Sequence, residues 1–297
     1  MYHEFLYHMH HRREPSRSVG ITRRGRTRST DSVDSVARTC IFCGNSAGSK
    51  EHVFPNWLNG VFPVDKTLPT PEWAVKVGKS DQPKQISRTW SASEIASVTS
   101  KLVCHECNTG WMANLENEAR PSLIPLITGN SKELHPPEQL TIATWAVKTA
   151  MTIETTVPSD ESDRFPNDQA RIAMEQKRPP AHYRVFASAL EGSSIPPMSY
   201  WVARAHIEGN GTPLGNIHVY TLQVGTLVLQ VVRPEPPPEN LSVLEKAAYP
   251  RRGESSLYPP VPKFSWPPEV TLNADTFVKY TSRGIDVPPE WQVPLPA

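Results

Sequence analysis

The chain has 297 residues, with 31 lysines and arginines against 30 acids, and 31 prolines, the last about twice the ordinary usage of roughly 5%. With 38% hydrophobic and 8% aromatic residues it can bury a core, which excludes wholesale disorder, and its 15 glycines show no three-residue period, which excludes collagen. No apolar run approaches the roughly 18 residues of a membrane helix and the start lacks a secretory apolar stretch, so a cytoplasmic address without a membrane partner is expected; a formal net charge of +1 leaves any sign of a polyanionic partner to local patterns.

Residues 1–39 hold eight arginines, no lysine, four histidines and four acids, with dense points at Arg12-Arg13 and from Arg23 to Arg28. Little in them is periodic, so a basic flexible leader is expected, with phosphate contact by a basic arm as the functional alternative.

The segment 40–132 contains all four cysteines, in two pairs of equal spacing: Cys40-Ile-Phe-Cys43 and Cys104-His-Glu-Cys107. Disulfide frameworks belong to small secreted domains. Two Cys-x-x-Cys knuckles can instead give one ion four thiolates in a closed tetrahedron, the arrangement of a structural zinc. A redox pair would need one knuckle beside a βαβ pattern, which neither has; free buried thiols are the other alternative. After the first knuckle come Glu51, His52 and Pro55, and directly after the second comes Asn108. A zinc joining the knuckles would bring these side chains toward one another. Metal-assisted phosphodiester hydrolysis needs a base for the attacking water and oxygen ligands for a hard divalent cation. His52 suits the first role, and Glu51 and the Asn108 carbonyl suit the second. The bland alternatives are a surface ion pair for Glu51, a helix cap for Asn108, core contacts for Trp111, Met112 and Leu115, and a metal-assisting or solvent-facing role for Glu116 and Glu118.

Residues 136–155 read as a helix starting after Pro136-Pro137, with Leu140, Ala143, Val147 and Ala150 at helical spacing. Trp145 and Lys148 read there as parts of a packed core helix. A loop with Pro158, Pro166, Pro179 and Pro180 follows. From His182 to Arg233 four runs with a two-residue period (HYRVFAS, SYWVARAHI, NIHVYTLQV and TLVLQVV) predict an antiparallel meander, in which His206 and His218 are expected to be satisfied or surface histidines. Fourteen of the prolines fall from Pro234 onward; lacking N–H groups, they predict an extended tail with Trp266 and Trp291 as anchors.

The order Cys-x-x-Cys, Glu-His-x-x-Pro, then Leu102-Val103-Cys104-x-x-Cys107-Asn108 resembles the zinc-containing branch of the HNH endonucleases, the ββα-metal nucleases. The match spans about residues 40–120. The resemblance implies His52 as general base, Glu51 and Asn108 as ligands of a catalytic Mg²⁺ or Mn²⁺, structural Zn²⁺ on Cys40, Cys43, Cys104 and Cys107, and DNA as the partner, cleaved to leave a 3′-hydroxyl. Two departures stand out. Thr99 occupies the place of the family's middle Asn, and the 60 residues between the knuckles hold what reads as an inserted hairpin, in which Lys76, Lys79, Lys84 and Arg88 form either a phosphate-contacting or a solvated face. The expected fold is α+β: a zinc-stapled ββα module at 40–132, a helix and loop at 133–180, an antiparallel β region at 181–233 and a Pro-rich tail at 234–297. The expected function is a metal-dependent DNA endonuclease, an HNH-type phosphodiester hydrolase. The alternative, supported by Thr99, is a non-catalytic zinc module that binds nucleic acid or protein.

Overall fold

A computed structural model describes residues 3–9, 38–62, 72–77, 84–89, 98–156, 168–192, 198–209, 212–235 and 254–281. The Arg12-Arg13 and Arg23 to Arg28 clusters, Lys79, Pro158, Pro166 and Trp291 lie outside them. The described fold is mixed α and β with antiparallel sheets.

The largest sheet has eight strands: β1 (His3–Met9), β3 (Glu72–Val77), β4 (Lys84–Thr89), β7 (Arg184–Ala189), β8 (Met198–Gly209), β9 (Thr212–Val224), β10 (Leu227–Glu235) and β11 (Ser255–Tyr258). Their order is β11-β7-β10-β9-β8-β1-β3-β4. The four alternating runs are therefore β7 to β10, but only β8, β9 and β10 form a meander. β7 pairs with β10 instead of β8, and turn chemistry explains why. Gly225-Thr226 closes β9 onto β10 in two residues, with Gly225 at φ +56°, as a tight hairpin requires. The link from β7 to β8 runs over residues 190–197, with Pro196-Pro197 at its end, and is too long to be such a two-residue hairpin.

The segment read as a leader contributes β1, which lies between β8 and β3. The inserted hairpin is present as β3 and β4, with Trp73 opposite Arg88, Lys76 opposite Gln85 and Val77 opposite Lys84. The Pro-rich tail contributes β11, then β12 (Phe264–Trp266) paired with β6 (Lys132–Leu134), and helix α6 (Ala274–Thr281). Trp266 is buried, as its anchoring role requires.

A separate two-stranded ladder joins β2 (Ser49–His52) to β5 (Thr99–Val103). The chain then enters a short turn α2 (His105–Cys107), a wider π-turn at Asn108–Met112 and helix α3 (Ala113–Ile127). The predicted helix is α4 (Pro136–Glu154), with Pro136 in its first turn and the His135 N–H donating to Glu138 Oε2 at 2.9 Å. Every residue of α4 from Ile142 to Glu154 is buried, because it is covered on all sides. One core runs from Cys40 through α3 and α4 to the sheet face bearing Tyr220, Leu222, Leu229 and Val231, and on to Trp266. The opposite face carries a smaller cluster under α6, formed by Leu190, Val228, Leu272, Phe277 and Tyr280.

The β9–β10 turn also closes the end of α3. Thr226 donates its N–H to Ile127 O at 3.1 Å and its hydroxyl to Leu126 O at 2.7 Å, satisfying carbonyls a helix end leaves unpaired. A Cβ on Gly225 would collide with Ile127 O and the Phe62 ring, so this approach requires glycine.

Candidate metal centre and adjoining polar site

Each knuckle follows from local backbone chemistry. In the first, Gly44 N–H donates to Cys40 O at 2.9 Å and Gly44 takes φ +78°, a left-handed conformation that favours glycine. In the second, Cys104 caps α2 and its sulfur accepts the Cys107 N–H at 3.3 Å. The four sulfurs lie within 4.8 Å of one another, with Cys43 and Cys104 at 3.6 Å. A tetrahedral zinc with Zn–S near 2.3 Å would space its sulfurs about 3.8 Å apart. The cluster can therefore hold a zinc ion, and the cysteines form no disulfide.

The thiols differ in acidity. Burial pushes Cys104 up to about 11 and Cys107 higher still. At Cys40 burial acts in the same direction, but backbone N–H groups of Cys104, Phe42 and Cys43 outweigh it and lower the thiol. The Trp111 indole hydrogen-bonds the Cys107 sulfur and packs edge-on against Phe42, with ring centroids 5.2 Å apart. Met112 and Leu115 are core residues, whereas His105 and Glu106 are exposed.

Asn108 is not a helix N-cap: Cys104 caps the start of α2, and Asn108 stands at its C-terminal end. Its amide nitrogen donates to Ser49 Oγ at 2.7 Å and to Lys50 O at 3.1 Å. A backbone carbonyl can only accept, so these contacts fix the amide orientation. The Asn108 Oδ1 is consequently left without a hydrogen bond among the described residues. The second knuckle and strand β2 are thus stitched together immediately before Glu51 and His52.

Glu51 is 5% exposed and its Oε1 accepts from Lys148 Nζ at 2.9 Å. Lys148, on α4, is 0% exposed and also donates to Glu116 Oε1 at 2.7 Å. Glu116 lies on α3 with 21% of its side chain exposed. Burial alone would lower the lysine, but the two carboxylates hold it above the ordinary lysine range, as paired opposite charges do. Glu118 faces solvent and pairs with Lys177 at 3.3 Å.

His52 is half-buried and has no hydrogen bond or ion pair among the described residues. Adjacent strand residues alternate in direction, so His52 and Glu51 leave β2 on different sides. The residue opposite His52 is Thr99; directly opposed residues are side-chain neighbours. The structure therefore joins Asn108 to β2 and Glu51 to Lys148 and Glu116, while no hydrogen bond joins His52 to Glu51 or Asn108.

No family model, characterised protein or solved structure matches the chain. What can be said of the site rests on its own residues. Sequence patterns place Lys148 in the core and leave Glu116 open between metal and water, although one signal points to their pairing. Lys148 is the only lysine or arginine between Lys132 and Arg164, and a lone cation in a helix buried on every side requires a buried partner.

His218 is buried on β9, 2.8 Å from Glu235; the His206 side chain lies outside the described residues. No helix of the described residues is long and apolar enough to cross a membrane.

Proposed function

We propose that the chain is a metal-dependent DNA endonuclease of the HNH type, with zinc on Cys40, Cys43, Cys104 and Cys107 as its structural staple. The observation that carries this reading is Asn108. Anchored by its nitrogen to Ser49 and Lys50, the two residues before Glu51 and His52, it keeps a carbonyl oxygen with no hydrogen bond among the described residues, as an oxygen-ligand role requires. Asn108 Oδ1 and the second oxygen of Glu51 would hold Mg²⁺ or Mn²⁺. When bound, such an ion neutralises charge building on the phosphate and the leaving oxygen. His52, which has no hydrogen bond or ion pair among the described residues, accepts the proton of the attacking water. Thr99 offers no amide to orient that imidazole.

A second reading has its own support. Glu51 already has a buried cationic partner in Lys148, which is what a structural cross-link looks like. On that reading the zinc module is non-catalytic and binds nucleic acid or protein.

Nicking of supercoiled plasmid separates the two. With Mg²⁺ or Mn²⁺ the wild-type chain should convert supercoiled DNA to the open circle, and His52→Ala should slow this by about 10² or more. Equal rates in both proteins, or no nicking with either metal, would remove the enzymatic reading.

A further inference from the structure

We infer that Lys148 is a positioning residue of the proposed metal site: it binds one oxygen of Glu51 and one of Glu116 and thereby sets the direction in which Glu51 presents its other oxygen. The inference rests on the nuclease reading above.

Three elements meet at this ammonium. Glu51 comes from β2, Glu116 from α3 and Lys148 from α4, with contacts of 2.9 and 2.7 Å. Glu51 and Lys148 are 97 positions apart in the chain, so their contact ties the cysteine-bearing segment to the central helix. Only one oxygen of each carboxylate is used among the described residues. Two glutamates around one lysine leave a surplus of one negative charge at a mostly buried place. A simple structural ion pair has no such surplus, whereas a divalent cation nearby would be drawn to it. Ligating carboxylates are commonly held from behind by a hydrogen-bond donor that fixes their orientation. Lys148 is such a donor, with no exposure of its own and hence no path to substrate.

The test is Mn²⁺ binding to the zinc-loaded full chain, followed by the paramagnetic resonance of free Mn²⁺ and checked by circular dichroism and zinc content. Wild type should bind Mn²⁺, and Asn108→Ala should weaken it. Lys148→Met should weaken Mn²⁺ binding at least tenfold with zinc retained. Because that variant leaves Glu51 buried without a counter-charge and can fail to fold, Glu116→Gln is the second arm: its residue is partly exposed, and removing one carboxylate charge should weaken Mn²⁺ several-fold in a folded chain. If Asn108→Ala weakens Mn²⁺ but the folded Lys148 and Glu116 variants bind it as wild type does, the positioning role is overturned and the metal reading stands. If wild type binds no Mn²⁺, or Asn108→Ala binds it unchanged, the metal reading itself falls and this inference falls with it.

Discussion

The region around the two knuckles and the eight-stranded sheet are held together by different means. Around the knuckles, cross-links are added to the apolar core: four sulfurs, the Asn108 amide on β2 and the Lys148 ammonium between two glutamates. In the sheet, β7, β9 and β10 bury one apolar residue after another on the face that packs against α4. Polar cross-links specify position sharply and fail abruptly, whereas distributed apolar burial fails in proportion to what is removed. The residues of the proposed site lie in the sharply specified region, and the sheet supplies the wall behind α4.

That contrast can be broken by experiment, most severely at the cysteines. Cys107→Ser should abolish stoichiometric zinc and expose the amides of β2 and β5 to hydrogen exchange, while β9 and β10 stay protected. Structural zinc sites carry apparent binding free energies of about 10–16 kcal/mol in small finger peptides, so the local effect is expected to be complete. Protection retained in β2 and β5 without zinc would show that the knuckles do not hold this region.

Leu229→Ala probes the sheet. Leu229 is 1% exposed on β10, between Leu222 of β9 and Ala187 of β7, and its truncation should cost about 2–5 kcal/mol in chemical denaturation. Zinc content should be unchanged. A loss of zinc in this variant would mean that the two regions are not separable.

A smaller effect is expected at Glu138, at the start of α4. Partial burial opposes its ionisation, but the His135 N–H, Lys132 and Ser122 prevail and hold the carboxyl down at about 2. Its folded value lies below the ordinary one, so its stabilisation is present in full above about pH 4.5 and fades as the pH falls toward 2. Glu138→Gln should therefore lower stability by about 1 kcal/mol near neutrality, with the gap from wild type closing in acid. A gap that stays constant across that range would assign the effect to shape instead of charge.

Sequence patterns revealed the two regions unequally. The cysteine cluster is readable from its spacing because ligand chemistry imposes fixed intervals. Helix α4 and strands β7 to β10 were readable from their periods. The partner of β7 was not, since alternation specifies a strand and its buried face but not its neighbour. The strands and helix in the tail were hidden by proline count, because prolines between Tyr258 and Trp266 interrupt short elements without preventing them. The Glu51–Lys148–Glu116 contact was hidden for a different reason: its members are 97 and 32 positions apart, and no local pattern links them.

The most direct test of the central claim is the nicking rate of His52→Ala on supercoiled plasmid, measured beside wild type and Leu229→Ala at a temperature where all three are folded. The account predicts a fall of about 10² or more for His52→Ala at an unchanged melting temperature, and a wild-type rate for Leu229→Ala despite its lower melting temperature. Wild-type nicking by His52→Ala would contradict it.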